Sequence, residues 1–178
     1  MKNLAVVMGM MLVASGLVYA ANDTFTITLS PTGDRGVIID TVTVGLGDLA
    51  PSGVGTTGAI PCVSTGTIAN IEYQISASVS GGAALTADAN VTPVSTELCL
   101  QALFNSTLGA FGTEDVVTTG TQRVGDAAPG EFEGADDNMD AMALNAYRNL
   151  WCQVTMPSTI DYTGTQTITV TVNAIAGE

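Results

Sequence analysis

The residues able to do chemistry in this 178-residue chain are mostly carboxylates. Seventeen Asp and Glu face four Lys and Arg, with no histidine, giving a formal net charge of −13. The densest acidic stretch runs from Asp126 to Asp140. Within it Glu131, Glu133, Asp136, Asp137, Asn138 and Asp140 supply hard oxygen ligands of the kind Ca²⁺ prefers. Asp136, Asn138 and Asp140 have the alternate spacing that opens an EF-hand loop. Ala141 then stands where that loop needs Gly, and Tyr147 where it needs Glu. The stretch is therefore a candidate calcium site of another kind, or a solvated acidic loop. Paired carboxylates such as Glu114-Asp115 also suit glycoside hydrolysis, but one Trp and few other aromatics do not suggest a sugar-binding cleft.

Absent residues narrow the chemistry further. Without His there is no Ser-His-Asp or Cys-His catalysis and no His-based zinc site. Lys2 is the only lysine, so Schiff-base chemistry and lysine isopeptide crosslinks are excluded beyond it. The acidic balance repels nucleic acid and anionic lipid, both of which require basic patches. We expect no enzyme, no nucleic-acid partner and no resident cofactor other than calcium.

Three cysteines, Cys62, Cys99 and Cys152, are too far apart for a CxxC motif. An exported chain can form one disulfide from three thiols. Cys62–Cys99 is the preferred pair; the other pairings and a chain-to-chain bond stay open. Cys152 lies on the apolar parity of its run, as a buried free thiol would.

The first twenty residues read as a secretory signal. Lys2 supplies the positive end, Leu4 to Leu17 the apolar core, and Val18-Tyr19-Ala20 a cleavage site before Ala21. Residues 21–178 are then one exported domain, and no second apolar stretch in them approaches membrane-span length.

That domain is strand-like throughout. Phe25, Ile27 and Leu29 alternate with threonine and serine just after the cleavage site. Ile71, Tyr73, Ile75, Ala77 and Val79 alternate, as do Leu98, Leu100, Ala102 and Phe104. Leu150, Cys152, Val154 and Met156 share one parity, and so do Ile168, Val170, Val172 and Ala174. Val37 to Leu46 reads as a second strand region and Gly45 to Gly58 as loop. Met139, Met142, Ala143, Ala146 and Leu150 fall at helical spacing, with Asp136 or Asp137 as cap, so a short helix is expected over 137–149. The fold class is all-β: an antiparallel Ig-like, Greek-key sandwich of about 7–8 strands with that one inserted helix.

Two surface features bear on function. The alternating N-terminal strand can pair within its own sheet. Alternatively, Phe25, Ile27 and Leu29 can fill a groove in a neighbour, exchanging backbone hydrogen bonds as a donor strand does. The threonine faces suit a carbohydrate or an ice lattice if they line up across several strands. They alternate here as in ordinary strands, without a repeated T-x-T array across several strands, so a plain solvent-facing sheet surface is the simpler expectation.

The run Val42-Thr43-Val44-Gly45-Leu46-Gly47, a Gly/Ser/Thr loop, Ala59-Ile60-Pro61-Cys62-Val63, then Tyr73-Gln74-Ile75-Ser76 and Gly81-Gly82, resembles the layout of spore coat U and archaic pilin domains. Tyr162-Thr163-Gly164-Thr165 followed by Ile168 to Val172 is similar to their closing strand. The chain departs from them in lacking a Cys near the start of the domain and in inserting the acidic segment. The resemblance implies a structural subunit outside a bacterial cell, partnered by its own copies or other surface subunits. A calcium-dependent or carbohydrate-binding cell-surface module is the alternative.

Overall fold

A computed structural model describes residues 24–29, 36–39, 43–65, 70–86, 91–125, 132–134, 142–143 and 145–177. Its strands are β1 (Thr24–Leu29), β2 (Gly36–Ile39), β3 (Thr43–Asp48), β4 (Val54–Thr56), β5 (Ile60–Thr65) and β6 (Ile71–Ser80). β7 (Ala84–Leu85), β8 (Glu97–Phe104), β9 (Gln122–Arg123), β10 (Tyr147–Thr155) and β11 (Thr167–Ala176) follow. They form two sheets. One has five strands in the order β3-β1-β11-β6-β9; the other has six, with the path β2-β5-β10-β8-β7 and β4 beside β10. The fold is all-β, as the alternation requires.

The four longest alternating runs behave as their parity dictates. Leu150, Cys152, Val154 and Met156 of β10 and its extension point inward and are buried. So are Ile168, Val170, Val172 and Ala174 of β11, Ile71, Tyr73, Ile75 and Ala77 of β6, and Leu98, Leu100, Ala102 and Phe104 of β8. β6 and β11 pair antiparallel over ten residues each and form the backbone of the five-stranded sheet. Across the core, the Tyr73 ring of β6 packs tilted against Phe104 of β8, with centroids 5.5 Å apart.

Several expectations are corrected. Eleven strands are present among the described residues rather than seven or eight. The Val37–Leu46 region is two strands, β2 and β3, lying in different sheets, and β4 falls inside the expected 45–58 loop. Pairing is not uniformly antiparallel: β1 runs parallel to β11, and β7 parallel to β8. The helix over 137–149 does not form across its described part. Met142 exchanges backbone hydrogen bonds with Ile71, Asn145 adopts φ 61°, and Tyr147 already begins β10. Met142, Ala146 and Leu150 are four apart, a spacing that serves strand alternation as well as a helical face. Residues 135–141 lie outside the described residues.

Among the described strands no antiparallel pair joins consecutive elements; every such ladder is closed over a long connection. Topologies built from non-local pairing fold slowly, because loop-closure entropy is lost before the contacts form.

Candidate functional site

β1 fills a slot. It lies between β3, antiparallel to it, and β11, parallel to it, with Thr26 beside Thr167 and Leu29 beside Val170. Ile27 is 0 % exposed and lies between the sheets, where β11 presents Ile168 and Val170 and half-buried Val44 covers the outer side. Of the three residues expected to act in self-association, Ile27 is therefore a core residue of its own sheet. Phe25 and Leu29 belong to β1 by backbone; their side chains lie outside the described residues. Among the described strands, β3 is the outermost beyond β1, carrying a single charged residue, Asp48, and two glycines. On the other sheet, Ile38, Val63 and Tyr147 stand side by side on β2, β5 and β10. All three face outward, and Ile38 and Tyr147 are 52 % and 54 % exposed.

The acidic stretch is described only at Phe132-Glu133-Gly134, so Glu131, Asp136, Asp137, Asn138 and Asp140 lie outside the described residues. The described part is tightly anchored. The Phe104 N–H donates to the Phe132 carbonyl and the Gly134 N–H to the Phe104 carbonyl, bridging Glu133 to β8. The buried Asp115 carboxylate accepts from the Phe132 N–H at 3.0 Å and the Gly112 N–H at 2.7 Å. It thereby fixes Phe132, which sits at φ 61°. A Cβ on Gly134 would meet the Asn105 side chain at 2.2 Å, so only glycine allows this approach. Asp115 acts here as a backbone clamp rather than as half of a hydrolytic pair, since both its oxygens hold main-chain donors. Among the described residues no group of three or more His, Cys, Asp or Glu could hold a metal.

All three thiols are buried and none is in a disulfide. The expected Cys62–Cys99 pair is not formed. Cys62 stands opposite Arg148 at one end of β10, and Cys99 opposite Thr155 at the other, on the far side of that strand. Seven residues of extended chain span about 23 Å, far beyond disulfide reach. Cys152 is buried in the core, as its parity indicated. Burial pushes the Cys99 thiol from 9.0 up to about 11 and also raises Cys152 and Tyr73. Between pH 9 and 11 the unfolded chain loses the Cys99 proton while the folded chain keeps it, so stability falls as pH rises through that window. Thermal melts from pH 8 to 11 should show the decline, and Cys99→Ala should make it shallower.

Sequence reasoning missed one buried ion pair. Glu72 of β6 is 1 % exposed, and its carboxylate lies 3.2 Å from Arg123 Nε of β9. Alternation puts Glu72 on the outward parity of β6; the sequence carries no signal that β9 returns to cover it.

No protein-family model matches the chain, and no curated protein matches it.

Proposed function

We propose that this chain is a secreted structural subunit of an extracellular fibre, pilus or coat, and that copies associate through their sheet edges by exchange of the N-terminal strand. The reading rests on the seat of β1. A short N-terminal segment, six residues long, occupies a slot between two other strands and delivers the fully buried Ile27 side chain to the core. The same segment from a neighbour has the same sequence and meets the same slot, so exchange conserves every hydrogen bond and the Ile27 contact while joining two copies. The nearly uncharged β3 edge and the outward row Ile38, Val63 and Tyr147 offer lateral contacts in a chain whose other surfaces repel one another. The apolar run from Leu4 to Leu17 supports export, and the likeness to spore coat U and archaic pilin domains points the same way. An Ig-like Greek-key arrangement is supported by the first strand lying beside the last and by connections that cross between sheets.

Removing residues 21–30 tests the mechanism. The shortened protein is expected to lose assembly, and a synthetic peptide of that sequence to bind it by filling the slot. Assembly that survives the deletion unchanged would retire strand exchange.

A further inference from the structure

The outward face of the five-stranded sheet carries a two-dimensional lattice of hydroxyl groups. Thr26 of β1, Thr167 of β11 and Ser80 of β6 stand directly opposite one another and form one row across three strands. Thr28, Thr169 and Ser78 form the next row, extended by Thr43 of β3 beside Thr28. Thr171 and Ser76 begin a third. The inward partners of these residues, Ile27, Ile168, Val170 and Ala77, are buried, so parity fixes the hydroxyl residues outward. Rows repeat about every 6.7 Å along the strands and columns about every 4.8 Å across them. The expectation of threonines unaligned between strands is thus corrected: a T-x-T pattern on β1 stands in register with one on β11.

The chemistry of the face selects its partner. No residue of the two complete rows is charged, although the chain carries a net −13. No aromatic ring stands in them, which removes the stacking surface that saccharide recognition relies on. The glycines of β3 continue the face without obstruction: a Cβ on Gly45, beside Thr26, would meet nothing within 4 Å. Threonine in a strand has a restricted χ1, so each hydroxyl and methyl is held at a repeat set by the backbone. Such an array is preorganised: it need not lose side-chain entropy on meeting an ordered surface. An ordered surface of water oxygens fits it, because every hydroxyl both donates and accepts and the methyl groups sit between them. We infer that this face binds ice, adsorbing to a crystal surface through the threonine and serine rows. The lattice is complete within one copy, so the inference stands apart from strand exchange.

The test uses the purified full chain in ice-recrystallisation and thermal-hysteresis assays, beside an unrelated acidic protein at equal concentration. The expected result is inhibited recrystallisation and faceted crystals. Thr169→Lys, at the centre of the array and pointing to solvent, should lose most of the effect with its melting temperature little changed. Ser158→Lys, on an exposed loop, should keep it. Binding to insoluble cellulose or chitin without any effect on ice would assign the face to polysaccharide and overturn the inference. So would an inactive wild type, or a folded Thr169→Lys that remains fully active.

Discussion

Ile27→Asp is expected to unseat β1 and to cost more than about 4 kcal/mol, enough to unfold a domain of ordinary stability. Ile27 is fully buried with Ile168 and Val170 of β11 presented beside it and half-buried Val44 on its outer side. No described base lies on β1 or on its neighbours β3 and β11: Arg123 is on β9, three strands along the sheet, and Arg148 is on β10 of the other sheet, near Tyr73 of β6. A carboxylate at position 27 must either be buried charged or take up a proton, and both are unfavourable. The slot then opens between β3 and β11, leaving β11 without its parallel partner. Urea unfolding should shift to much lower denaturant. Thr28→Ser, one residue away and facing out, should stay within about 0.5 kcal/mol of the parent. A small shift for Ile27→Asp would mean that β1 is not part of the stable fold.

The second large effect is expected at the buried ion pair. Arg123→Ala should cost roughly 3 kcal/mol, because it leaves the Glu72 carboxylate in the interior without its guanidinium. The loss should far exceed that of an exposed pair, for which typical values stay below about 1 kcal/mol. Glu72→Gln in the Arg123→Ala background should recover much of the stability, since the orphaned charge is then gone. Denaturant melts of the two single variants and the double variant form a cycle that isolates the pairwise energy. Additive losses would show that Arg123 contributes by packing and that the charge on Glu72 is held by other means.

The long strands were legible because length and parity agree. β6, β8, β10 and β11 span eight to ten residues each; burial alternates along β10 and β11, whereas β8 is buried on both faces and β6 over its first three residues. Partner choice was not legible. Nothing in Thr24–Leu29 distinguishes a parallel neighbour from an antiparallel one, and the decision comes from β11 across more than a hundred residues of chain. The helix expected over 137–149 arose from a coincidence of periods at Met142, Ala146 and Leu150. Tertiary pairing of Met142 with Ile71 decided against it. Glu72 has the outward parity of β6 yet is buried beside Arg123 of β9, a strand only two residues long with no pattern of its own. The hydroxyl lattice has the same origin: the separate T-x-T runs are visible, but their register exists only after β1 pairs with β11.

These observations bear on assembly as well as on stability. Under the proposed exchange, β1, which carries the buried Ile27 and pairs with β3 and β11 through short ladders, is the element shared between copies. It is also the element whose loss opens a hydrogen-bonding edge on each side. On the proposed exchange, the acidic surface would keep folded copies apart until a neighbour's strand satisfies that edge, and no disulfide links the three buried cysteines. Association should therefore be non-covalent, insensitive to reductant, and dependent on concentration and salt, which screens the repulsion between like-charged copies.

Negative-stain electron microscopy of the purified protein at high concentration, with reductant present, tests strand exchange between copies most directly. Regular fibres, or chains of linked particles, are the expected result, and removal of residues 21–30 should abolish them. Monodisperse single particles at every concentration and salt would contradict it.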